Sequence, residues 1–65
     1  MFKAEISNRA GYLQSTETFD SEEEVKEEAM IIIDSYINDW IVDGVCREED
    51  RDRIREQFDI DIVEE

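Results

Sequence analysis

The chain has 65 residues and a formal net charge of −13, from 20 Asp and Glu against 7 Lys and Arg. That balance argues against nucleic acid and anionic membranes as primary ligands, because phosphate contacts need positive charge. Hydrophobic residues make up 40% of the chain, with three Phe, two Tyr, one Trp and no proline, which separates it from disordered acidic chains.

The length suits one domain, residues 1–65. At this size only roughly 60% of the unfolded chain's surface is buried on folding, so stability is expected to be modest without a partner or a second copy. Residues Phe2 to Ser7 alternate, with Phe2, Ala4 and Ile6 on one face and Lys3, Glu5 and Ser7 on the other, the period of a half-buried strand. Asn8 to Gly11 carries turn chemistry, and Tyr12 to Phe19 reads as a second strand. Pairing Ser7 with Tyr12 puts Leu13 inside with Ile6. The same register also sends Glu17 inward near Phe2, a conflict that predicts a bulge or a frayed end.

Ser21 to Val42 is the one long helical pattern, and the rest of the chain is organised around it. Ser21 and Glu24 have the spacing of a capping box, and Glu22, Glu23 and Glu24 fall where the helix dipole favours carboxylates. At 100° per residue Val25, Ala29, Ile32, Ile33, Tyr36 and Trp40 share one arc, with Ile37 on its border, and form the expected core stripe. Asp43-Gly44 ends the helix, with Gly44 as a left-handed cap. Arg47 to Gln57 is highly charged but holds Ile54 and leads to Phe58, four residues on, which suits a short second helix. Phe58, Ile60 and Ile62 then alternate with Asp59, Asp61 and Val63 as a third strand. The predicted fold class is α+β, a ββααβ domain: a three-stranded antiparallel sheet with a long and a short helix packed on one face.

Catalytic and metal chemistry finds no constellation to start from. There is no histidine, and the serines have no base partner. A calcium loop started at Asp39 puts Ile41 where an oxygen ligand belongs. Cys46 is the only cysteine, so no intramolecular disulfide or cysteine-based zinc site can form. No enzymatic activity, metal or cofactor is therefore expected. The chain starts without a signal-like apolar core, and its longest apolar run, Ala29 to Ile33, is too short to cross a bilayer. A reducing cytoplasm is the expected location.

What remains is the outer face of the long helix. Glu24, Glu27, Glu28, Asp34, Asn38 and Asp39 cluster there, with Ile31 among them, about 180° from the middle of the core stripe. Residues three or four apart stand about 5–6 Å from one another on a helix surface, so this face is a carboxylate column. Interspersed lysines would remove the repulsion between these groups, and the face has almost none. These seven residues are the candidate partner-binding set. The expected function is a non-enzymatic protein-binding module that engages a basic surface. In size and acidity the chain is similar to small phage proteins that block host restriction or CRISPR machinery by imitating nucleic-acid phosphates, a likeness of class with no shared motif. The alternative is a small structural or assembly protein acting as a homodimer through Ile31, Val42 or an open sheet edge.

Overall fold

The computed structural model describes residues 1–65 and shows the ββααβ arrangement. Strand β1 spans Phe2–Asn8, β2 Gly11–Ser15, α1 Glu22–Val42, α2 Arg51–Arg55 and β3 Asp59–Glu64, with a 3-10 turn at Glu48–Asp50 leading into α2. The sheet order is β2-β1-β3, antiparallel throughout. The alternating strand β1 is therefore central, and β2 and β3 are both edges.

The hairpin turns at Arg9-Ala10. Asn8 Oδ1 accepts the Ala10 N–H at 2.9 Å, and Gly11 follows with φ +121°. Ser7 pairs with Tyr12, but the register then slips so that Ile6 faces Gln14. Leu13 is left over as the bulge. This resolves the register conflict: Thr16 is brought inside and Glu17 stays exposed. Ala4 donates its N–H to Thr16 Oγ1 at 2.9 Å, Thr16 donates its own N–H to the Ala4 carbonyl at 2.8 Å, and the Thr16 hydroxyl donates to the Glu17 carbonyl. A typical hydrogen bond made inside the fold contributes about 0.5–1.5 kcal/mol net, whereas an orphaned buried hydroxyl costs about 1–3 kcal/mol.

α1 begins on Ser21, whose hydroxyl accepts the Glu24 N–H at 3.3 Å. Only this half of the expected box forms, and the Glu24 carboxylate stays in solvent. At the other end the Gly44 N–H reaches the Ile41 carbonyl and the Val45 N–H reaches the Trp40 carbonyl, with Gly44 at φ +79°. This is the paired-bond left-handed stop that a glycine after the cap permits.

The core is Ala4 and Ile6 from β1, Val25, Ala29, Ile33 and Ile37 from α1, and Phe58 before β3. Each fully buried isoleucine contributes about 1.5–3 kcal/mol. The buried column runs at i, i+4 through Val25, Ala29, Ile33 and Ile37, so its centre lies about 30° from the stripe expected from the arc alone. Ile32, Tyr36 and Trp40 are half-buried at its border, while Ile37 is fully inside. The rotation follows from where α1 sits: it lies over β1 and β3, with α2 against its outer flank on the β3 side. Trp40 stacks on Phe58 at 5.8 Å and 19°, with Tyr36 tilted against both, and this aromatic cluster ties α1 to the start of β3. No helix is long and apolar enough to cross a membrane.

Candidate functional site

Five of the seven cations are engaged inside the molecule. Lys3 pairs with Glu65 at 2.9 Å, Arg47 with Glu49 at 3.4 Å and Arg53 with Asp50 at 3.0 Å. Arg51 makes two bonds of 2.9 Å to Glu48, and Arg55 reaches Asp34 at 2.6 Å and Asp52 at 3.6 Å. The hydrogen bond from Arg51 holds the Glu48 carboxyl below its usual range, and Glu48 in turn raises the arginine. A hydrogen bond to Glu65 raises the Lys3 ammonium in the same way. Lys26 and Arg9 make no ion pair. Lys26 stands about 100° round α1 from Glu27, off the outer face.

The seven residues expected to bind a partner divide into two groups. Glu24, Glu27, Ile31 and Asp39 are exposed and Glu28 is half-buried; none of the four carboxylates in this group has a cation. Asp34 and Asn38 instead face α2. Arg55 holds Asp34 and the Arg51 guanidinium donates to Asn38 Oδ1 at 2.6 Å. The cause is a match of spacing. Arg51 and Arg55 are four apart on α2, Asp34 and Asn38 are four apart on α1, and the two helices run antiparallel so that both rungs close. These two residues are part of the helix–helix contact, and the free column is shorter than the sequence pattern suggested. Ile31 is not covered by α2: it remains 60% exposed, and Val42, further along the same face, 85%.

Beside this column lies a groove of about 480 Å³ between α1 and β2. Glu28, Ile31, Ser35 and Asp39 form its helix wall, and Gln14, Ile32 and Tyr36 complete it. The Tyr36 hydroxyl donates to Gln14 Oε1 at 2.8 Å, closing the floor. Gln14 has no signal in the sequence, because its inward position depends on the bulge at Leu13. Tyr36 and Ile32 read as core residues from their helical spacing, and both are half-buried where α1 meets β2. The carboxylates are dispersed: no three of the acidic and cysteine side chains gather closely enough to hold a metal ion.

What this arrangement can do chemically is attract and seat positive charge around an apolar centre. Comparison of the chain with protein-family models, curated proteins and solved structures finds no match.

Proposed function

We propose that the protein is a non-enzymatic binding module that engages a basic surface through the outer face of α1. The observation that carries this reading is the segregation of charge. The arginines of the α2 region neutralise their own neighbours and Asp34, while Glu24, Glu27, Glu28 and Asp39 are left without a cation around the exposed Ile31. Like charges at i, i+4, such as Glu24 and Glu28, cost an isolated helix a few tenths of a kcal/mol, and a basic partner converts that cost into attraction. Ile31 then supplies an apolar anchor within a charged rim.

The most specific form of the reading is an inhibitor that occupies a nucleic-acid-binding site by presenting carboxylates in place of phosphates, as an anti-restriction or anti-CRISPR protein of a phage would. On this reading it acts in a cytoplasm, a host's if the source is viral, where the single thiol Cys46 stays reduced. A homodimer through the same face is the weaker reading, because a twofold contact would set the same carboxylates of both copies against one another.

The test is displacement. The protein is titrated into complexes of fluorescent DNA with basic nucleic-acid-binding proteins of the source organism or its host. Displacement from at least one of them, weakening steeply with added salt and lost in the variant E24Q/E27Q/E28Q/D39N, supports the reading. Displacement that is indifferent to both salt and the substitutions overturns it.

A further inference from the structure

We propose that the groove between α1 and β2 receives an extended basic segment of the partner, which adds to the free edge of β2 as a fourth strand and sets two cations on Glu28 and Asp39. The inference rests on the basic-partner reading above. It deepens that reading by moving the specific contact to the β2 flank of α1 and by fixing the partner's local conformation.

β2 pairs only with β1, so the backbone groups along its outer edge have no strand partner. Such an edge is the template for strand addition. On the β3 side the flank of α1 is packed by α2, but the corresponding space on the β2 side is the open groove. Gln14 shows which way the inner face of β2 looks. It stands opposite the fully buried Ile6, shares its face, and reaches Tyr36. A strand added beside β2 sends alternate side chains to that same face, into the groove.

The lining specifies what those side chains are. Glu28 and Asp39 are eleven residues apart on α1, about 16 Å along its axis, with Ile31, Ile32 and the Tyr36 ring between them. Neither carboxylate is held by a cation of this chain. Inward positions i and i+4 of a strand stand about 13 Å apart, and the long stems of lysine or arginine span the remainder. The segment that fits has a basic residue at i, an apolar one at i+2 and a basic one at i+4. A second copy of this chain does not meet the pattern. The inward positions of its two edge strands are Gln14, continuing to Thr16, in β2, and Ile60, Ile62 and Glu64 in β3, with no cation among them.

The test uses a fluorescent seven-residue peptide with lysine at its second and sixth positions, valine at its fourth and threonine elsewhere. A control of the same composition has its two lysines adjacent. At low salt the patterned peptide is expected to bind at least tenfold more tightly than the control, to lose about tenfold in E28Q/D39N, and to protect the amides of Gly11–Ser15 from hydrogen exchange. Equal affinity for the two peptides, unchanged affinity in E28Q/D39N, or unprotected β2 amides each overturn the groove. If both peptides bind alike and only E24Q/E27Q weakens them, the groove fails while the outer-face reading stands. Absence of peptide binding overturns the groove alone, because displacement of DNA decides the outer face independently.

Discussion

The rotational setting of α1 decides which carboxylates are available, and a pair of substitutions two residues apart tests it. Ile33 is 1% exposed and Ile31 60% exposed, and the two stand about 200° apart round the helix. Replacing Ile33 with alanine removes three buried carbons from the core cluster that includes Ile6 and Ile37, at a cost of about 2–5 kcal/mol. A domain of 65 residues has about 3–10 kcal/mol in all, so this single change takes up a large share of it. At about 4–8 °C per kcal/mol for a domain this small, Tm falls by at least about 8 °C. Ile31→Ala loses little buried surface and stays within about 0.5 kcal/mol of the parent. Ile33→Val, at about 1 kcal/mol, gives a measurable shift if the alanine variant does not fold. Urea and thermal denaturation followed by far-UV circular dichroism and Trp40 fluorescence provide the readout. Similar losses from Ile31→Ala and Ile33→Ala would refute the setting of the helix and, with it, the choice of outer face.

Two further outcomes follow from the charge distribution. With a net charge of −13 and the α1 carboxylates uncompensated, raising ionic strength from about 0.01 M to about 0.15 M should raise the urea midpoint, since the screening length contracts from about 30 Å to about 8 Å; equal midpoints would refute net self-repulsion in the folded state. Arg51 holds the Glu48 pKa below its ordinary value of 4.5, so the stabilisation is complete above that value and is lost as pH falls through the lower folded-state value. Stability of E48Q should therefore fall less steeply than that of the parent below pH 4.5, and parallel acid limbs in pH-dependent urea melts would show that the pair contributes nothing.

Much of the fold was legible because local signals agreed. The alternation of β1 and β3, the caps at Ser21 and Gly44, and the helical period from Val25 to Ile37 all point to the same arrangement. The Glu17 conflict pointed to a bulge or a frayed end without deciding between them, since only the tertiary register shows that Leu13 is an extra residue. The pairing of Asp34 and Asn38 with α2 was not visible in the helical period, because a period reports a face and not what lies against it. The signal that could have corrected this was the matching four-residue spacing of Arg51 and Arg55. The groove had no signal at all. It exists because a single long helix lies mainly over β1 and β3 and reaches β2 through the Tyr36–Gln14 bond, and no local pattern encodes that placement.

The division of the acidic residues into paired and unpaired groups also orders them by how readily they can serve a partner. Recruiting Asp34 would mean breaking its 2.6 Å bond to Arg55 and leaving that guanidinium, half-buried against α1, with only its longer 3.6 Å contact to Asp52. The exchange gains little, because one charge-assisted bond replaces another. Glu24, Glu27, Glu28 and Asp39 give up only water and counter-ions, so a new ion pair there adds its full net contribution. On the proposed reading, a basic partner would be steered away from the internally neutralised α2 region and toward the outer ridge and β2 flank of α1. Those two surfaces meet at Ile31, which belongs to both the carboxylate column and the groove wall. An apolar side chain at that junction discriminates by fit, which charge alone does not do: a basic surface lacking a complementary apolar contact would be attracted but not retained.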